Sequence, residues 1–259
     1  MMQVWNGVAE WTLRRRALGG RSIGLVPTMG ALHRGHASLV ERCRRENDIV
    51  AVTIFVNPSQ FNDPKDLERY PRVLDQDLAL LANLGADEVL VPRAAELYPQ
   101  GYHFRVDEDC MTTVMEGVHR PGFLQGVMTI VLKLLNLVRP DRAYFGEKDY
   151  QQLQVVTGMA RDLFLSTEIV ACPTVRAESG LAESSRNALL PAAARGQAAA
   201  LYRALTGSSN AGEARKMLET AGFVVDYVEE HWGRRFAAAH LEGVRLIDNV
   251  ALSEMAPEA

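Results

Sequence analysis

Apolar positions fall along this chain in two alternating rhythms. Residues 49–56 (IVAVTIFV) are almost unbrokenly apolar and β-branched, the pattern of a parallel strand covered on both faces. Residues 22–27 (SIGLVP) predict a second buried strand, and 88–91, 143–145 and 168–172 predict shorter ones. Between them the apolar positions recur at helical spacing. Residues 37–47 place Leu39, Val40 and Cys43 on one face, and 73–84, 126–138 and 149–164 also read as helices. Strands alternating with helices imply βαβ units and a mainly parallel, Rossmann-like α/β sheet. After about Asn187 the character changes. Residues 191–204 are Ala-rich and helical, 207–212 (GSSNAG) form a turn, 213–221 are helical, and 223–229 and 244–250 read as strands. This predicts a catalytic domain over 1–187 and a smaller α+β domain over 188–259.

Composition narrows the class. With 28 Lys+Arg against 32 Asp+Glu, the chain lacks the basic excess of a general nucleic-acid binder. The longest apolar stretch, 127–138, is too short to cross a bilayer and contains Lys133. No membrane partner is expected. Cys43, Cys110 and Cys172 are odd in number and widely spaced, with no CxxC or zinc-type cluster. A reducing, cytoplasmic setting is the simplest expectation.

The most informative segment is 26–36, VPTMGALHRGH. A strand ends at Pro27, a Gly-containing turn follows, and a helix is predicted to begin near His36. Ligands of open α/β sheets bind outside the carboxyl ends of strands, and a helix N-terminus favours phosphate. His33 and His36 share one face of the opening turn, with Gly35 leaving room between them. Imidazoles so placed can donate to phosphate oxygens and stabilise charge on leaving pyrophosphate. Two histidines on a surface turn would give the same spacing, but the position straight after the first buried strand favours a ligand. No Walker A motif and no GxGxxG occurs in the chain.

Other segments meet the same need. Gly146, Glu147, Lys148 and Asp149 follow the strand at 143–145 directly. Lys148 can pair with phosphate as a point charge, and Asp149 can cap the next helix or hold a ribose hydroxyl. Spacing alone leaves both as ordinary loop residues with equal weight. Ser184, Ser185 and Arg186 can wrap a polyphosphate or form a polar linker. Asn57 and Gln60 after the second long strand, and Gln152 one turn into the next helix, can hydrogen-bond a small polar substrate; each is otherwise a structural amide. Asp75 and Asp77 can approach Mg²⁺ through water or form a solvated helix face.

Taken in order, PTMGALHRGH (27–36), FVNPSQF (55–61), YPR (70–72), FGEKDYQQ (145–152) and VRAESGLAESSRN (175–187) closely resemble the pantothenate synthetase (pantoate–β-alanine ligase) family, with LIDN (246–249) echoing its last domain. HxGH alone would indicate only the wider nucleotidylyltransferase superfamily. The resemblance implies ATP-dependent joining of pantoate to β-alanine through a pantoyl-adenylate, releasing AMP and pyrophosphate. It also implies a cytoplasmic homodimer whose C-terminal domain helps close the site. By motif, ATP would be contacted by Met29, Gly30, Ala31, Leu32, His33, Arg34, Gly35, His36, Gly146, Glu147, Lys148, Asp149, Val175, Glu183, Ser184, Ser185 and Arg186. His36 would be the proton donor. His33, Lys148, Ser184, Ser185 and Arg186 would stabilise the leaving pyrophosphate. Gln60 would bind pantoate and lie near β-alanine, and Gln152 would bind pantoate. Beside these, Pro27 and Asn57 are candidates for the same substrates, and Asp77 for water-mediated Mg²⁺, from their own residue types and positions.

Three departures stand out. Phe123 occupies the position of a family histidine in HFxGV. Glu183 stands where Met or Leu usually precedes SSRN, and like-charge repulsion predicts that its backbone rather than its carboxylate serves the nucleotide. The stretch between Glu230 and Val244 looks shortened. Another nucleotidylyltransferase with a different acid, or a binding module without turnover, are the competing readings.

Overall fold

The computed structural model describes residues 1–252. Contacts divide it into two units. The larger comprises Met1–Glu147 and Gln151–Cys172; the smaller comprises Lys148–Tyr150 and the chain from Pro173 onward. Residues 173–187 cluster with the smaller unit.

In the larger unit β1 (Gln3–Trp5) leads into α1 (Val8–Ala17), β2 (Ile23–Thr28), α2 (Arg34–Glu46) and β3 (Ile49–Ile54). Next come α3 (Pro64–Arg69), α4 (Leu74–Asn83), β4 (Glu88–Leu90), α5 (Ala94–Leu97), α6 (Glu116–His119) and α7 (Phe123–Val138). The unit ends with β5 (Arg142–Gly146), α8 (Tyr150–Asp162) and β6 (Glu168–Cys172). Among the described residues, six strands pair in the order β1-β4-β3-β2-β5-β6, every neighbouring pair parallel. All of β3 is buried, as its unbroken apolar run requires. The packing tolerates little change. A Cβ on Gly24 of β2 would lie 2.3 Å from Cys43 Sγ, so α2 rests directly on that strand.

The sheet has a topological switch. From β2 the chain steps to β3 and β4 on one side and returns to β5 and β6 on the other. The carboxyl ends of β2 and β5 flank that point, where a crevice opens in doubly wound sheets. These two ends carry the 27–36 loop and Gly146.

The smaller unit contains α9 (Ala192–Ala198), α10 (Ala200–Gly207), α11 (Ala211–Thr220), β7 (Val224–His231), β8 (Arg234–Leu241) and β9 (Val244–Ala251). Its strands form an antiparallel meander in the order β7-β8-β9. Leu201, Leu205, Leu218, Phe223, Leu241 and Leu246 join Ala237 and Ala239 in a core of its own. The stretch that looked shortened is β8, the central strand. Its Ala237, Ala238 and Ala239 are fully buried, and alanine carries little strand propensity to reveal it. Both hairpin turns have two left-handed residues, Trp232-Gly233 and Glu242-Gly243. That geometry matches strand twist in two-residue loops.

Cys43 and Cys172 are buried and Cys110 is exposed. Burial pushes the Cys43 thiol up to about 12 and raises Cys172 as well. An alkylating reagent at pH 8 is expected to modify one thiol per native chain, at Cys110, and three after unfolding. Rapid modification of a second thiol in the native protein would contradict this packing.

Candidate active site

The 27–36 loop is built by its own side chains. Gly30 and Ala31 both adopt left-handed backbone (φ 79° and 50°), a conformation costly for alanine. Asp77 of α4 holds it. Its Oδ2 accepts from Ala31 N–H at 2.9 Å and its Oδ1 from Leu32 N–H at 2.7 Å. Asp77 is 3% exposed, so it does not lie on a solvated helix face: it anchors the loop. Among the described residues no cluster of three or more His, Cys, Asp or Glu side chains could hold a metal ion. The Gly30 amide donates to Thr28 Oγ1, so the amides of Gly30, Ala31 and Leu32 are all engaged within the protein.

The helix following this loop is capped by the two histidines. It begins at Arg34 rather than near His36, and His33 is its N-cap. His33 Nδ1 accepts from Gly35 N–H at 3.1 Å, and His36 Nδ1 accepts from His33 N–H at 3.3 Å. The rings lie 4.1 Å apart, centroid to centroid. This is a reciprocal capping box made with imidazoles in place of the usual Ser/Thr and Glu/Gln. Its chemical consequence is definite. A neutral imidazole that accepts at Nδ1 carries its proton on Nε2. The backbone hydrogen bonds therefore favour the Nε2–H tautomer in both neutral rings.

The amides divide into anchors and open donors. Asn57 is 1% exposed. Its Nδ2 donates to Gln60 Oε1 at 2.9 Å and to Gly126 O at 3.2 Å, and its Oδ1 accepts from Tyr98 Oη at 2.8 Å and Ser59 Oγ at 2.9 Å. Asn57 is thus fully engaged in holding Gln60. Because Gln60 Oε1 is the acceptor in that bond, its Nε2 faces the other way. Among the described residues Gln60 Nε2 has no hydrogen-bond partner. The neighbouring glutamines of α8 split similarly. Gln151 accepts from Glu116 N–H and donates to Met111 O and Val114 O, fixing the loop before α6. Gln152 is half-buried with no side-chain partner among the described residues.

The Phe123 departure also has a structural setting. The Arg120 guanidinium lies 3.7 Å over the Phe123 ring, within cation–π range. It donates to Gln60 O at 3.2 Å and pairs with Glu116 at 3.4 Å. Sequence reasoning did not single out Arg120 or Tyr98; neither lies in the segments that carry the resemblance.

Lys148, Asp149, Val175, Glu183, Ser184, Ser185 and Arg186 lie in the smaller unit, whereas Gly146 and Glu147 end the first segment of the larger one. Lys148 Nζ is 3.5 Å from Asp149 Oδ1, and the lysine side chain is mostly buried. Val175 O accepts from Glu183 N–H, Ala177 and Leu181 bond across, and Arg176 bridges to Ala182. These contacts close a small hairpin that delivers the chain to Ser184. Ser184 then caps a 3₁₀ turn, its Oγ accepting from Arg186 N–H at 3.3 Å. The Glu183 N–H is engaged within this hairpin, donating to Val175 O at 2.9 Å.

A doubly wound parallel sheet whose first long strand runs into two tautomer-fixed imidazoles is the frame of an α/β enzyme. The pantoate–β-alanine ligase family model matches residues 1–251, and the chain belongs to that family. The pantothenate synthetase of Bdellovibrio bacteriovorus is 50% identical over 97% of this chain and all of its own length. That of Legionella pneumophila strain Corby is 47% identical over the same shares. Among solved structures, pantoate–β-alanine ligase from Francisella tularensis, complexed with β-γ ATP and β-alanine, superposes with a TM-score of 0.94 at 39% identity, covering 98% of each chain. Pantothenate synthetase from Thermus thermophilus gives 0.90 at 44% identity over 97% of this chain and 99% of that one.

Proposed function

We propose that this enzyme condenses pantoate with β-alanine at the expense of ATP through a pantoyl-adenylate. In the first step a pantoate carboxylate oxygen forms a bond to the α-phosphorus as the bond to pyrophosphate breaks. In the second the β-alanine nitrogen attacks the acyl carbon, AMP leaves, and the amine loses a proton. No enzyme nucleophile enters either step, so rate comes from positioning and from donors fixed before charge develops. The observation that carries the reading is the His33–His36 capping box, which supplies two Nε2–H donors suited to the leaving pyrophosphate. Lys148, Ser184, Ser185 and Arg186 would offer charge and donors for phosphate, and Met29, Arg34, Gly35, Gly146, Glu147, Asp149 and Val175 are the further candidates for nucleotide contact.

Gln60 Nε2 and Gln152 would recognise pantoate. Pro27 would contribute a wall, and Asn57 would act by holding Gln60. Magnesium would arrive as the counterion of ATP, held chiefly by phosphates and water; no step here depends on a protein ligand for it. A closing role for the C-terminal unit, a homodimeric assembly and a cytoplasmic location belong to the same proposal. No helix among the described residues is long and apolar enough to cross a membrane.

Omission assays test the reaction. AMP formation is expected only when ATP, pantoate and β-alanine are all present. Replacing pantoate by an analogue without its 2-hydroxyl should lower kcat/KM by about 10²-fold or more, because a site built to pair a hydroxyl leaves its own groups unpaired. Equal turnover with unrelated carboxylic acids would favour a different acid substrate.

A further inference from the structure

We propose that two adjacent residues of β9, Asp248 and Asn249, are positioning residues for the phosphate-binding groups of the smaller unit. Asn249 acts on Lys148 and Asp248 on the segment that begins at Ser184. The proposal rests on the assignment of Lys148 and Arg186 to the polyphosphate.

Asn249 is 1% exposed. Its Nδ2 donates to the Lys148 carbonyl at 2.9 Å, and its Oδ1 accepts from Arg234 Nε at 2.6 Å. The Arg234 guanidinium in turn lies 4.5 Å over the Tyr150 ring, which packs against Phe236. Residues 148–150 are therefore gripped at a backbone carbonyl and at a ring, from strands distant in sequence. None of these contacts belongs to the apolar core of the unit, which is made by the leucines and alanines named above.

Asp248 performs the matching task. Its carboxylate, 2% exposed, receives Arg176 at 2.6 and 3.0 Å in a two-pronged pair. Arg176 also donates to Gly180 O and Asn249 O and stacks 4.1 Å over Tyr202. Arg176 is the residue that bridges to Ala182 in the hairpin leading to Ser184. Asp248 Oδ1 additionally accepts the Asn249 amide at 2.8 Å, so the two anchors are coupled to each other.

The need is physical. A lysine side chain has large rotamer freedom, and its ammonium is a useful preorganised charge only if its backbone is fixed. A displacement of about 1 Å can cost roughly 10²-fold in rate.

The test is a pair of double-mutant cycles on the adenylation step, followed by pyrophosphate release from ATP and pantoate. Asn249→Asp retains an acceptor for Arg234 but cannot donate to the Lys148 carbonyl. It is expected to slow adenylation about 10- to 100-fold, with the KM for pantoate unchanged within about two-fold. In a Lys148→Ala background it should cost less than about two-fold more, because coupled residues are not additive. Full additivity, or near-native activity of Asn249→Asp, would overturn the proposal. A silent Lys148→Ala variant would remove the assignment on which it rests, and the proposal with it. Should Asn249→Asp fail to fold, the second cycle, Asp248→Asn with Arg186→Ala, decides by the same rule: non-additive losses support the anchor and additive ones refute it.

Discussion

His36→Asn is expected to lower the adenylation rate by roughly 10²–10³-fold, the scale of losing one preorganised donor at developing charge, while leaving the thermal midpoint nearly unchanged. The two effects separate because the ring's two nitrogens have separate tasks. Nδ1 accepts the His33 amide and caps α2; Nε2–H is the donor proposed for the pyrophosphate. An asparagine oxygen can stand near the place of Nδ1 but has no counterpart of Nε2. Glutamine can place its amide nitrogen near Nε2, so His36→Gln should retain more activity than His36→Asn. Alanine removes both functions. His36→Ala should show the same loss of rate together with a cap penalty of about 1 kcal/mol, a few degrees of midpoint for a chain of this size. Adenylation rates and thermal melts of the three variants check the assignment. Near-native adenylation by His36→Asn would mean that Nε2 does not take part.

Gly126→Ala is expected to damage both folding and pantoate use, although it adds one carbon. A Cβ at this position of α7 would lie 2.4 Å from Ser59 O and 2.9 Å from Gln60 Cα. Those are backbone atoms, so relief requires moving the turn that carries Gln60. Asn57 Nδ2 donates to the Gly126 carbonyl as well as to Gln60 Oε1, so helix, turn and amide shift together. Overpacking of this kind costs about 1–3 kcal/mol. A displacement near 1 Å at Gln60 should reduce kcat/KM for pantoate by about 10²-fold. The contrasting variant is Gly196→Ala in α9, where an added Cβ meets nothing within 4 Å. It should be neutral or stabilising by up to about 1 kcal/mol. Measured melts and pantoate kinetics of the two variants give the comparison. Unchanged pantoate kinetics in Gly126→Ala would show that Gln60 does not contact that substrate.

Much of the larger unit was legible because β2, β3 and β4 are buried on both faces. The run at 49–54 admits no other reading, and the helices covering it keep clean apolar stripes. The short edge strand β1 was not legible: three residues of mixed character carry almost no pattern. In the smaller unit β8 was hidden by composition, since three consecutive alanines declare neither period 2 nor 3.6. The predicted helix over 191–204 becomes two, α9 and α10, meeting at Ala199.

For the site, the motifs located the residues, but not which atoms are already engaged. Asp77 looked like a solvated carboxylate because its partners, the amides of a left-handed turn, leave no mark in sequence. Gln151 and Gln152 are indistinguishable as letters, and only the loop before α6 separates the anchor from the open donor. Arg176 and Asp248 were in view within VRAESG and LIDN, yet nothing in sequence pairs residues 72 positions apart.

Pyrophosphate release in a single turnover, with the enzyme mixed with ATP and pantoate alone, tests the central claim most directly. A free-standing adenylation step driven by preset donors should give a burst of about one pyrophosphate per active site without β-alanine, and sustained turnover only once β-alanine is added. Pyrophosphate release that strictly requires β-alanine, even in the first turnover, would contradict it.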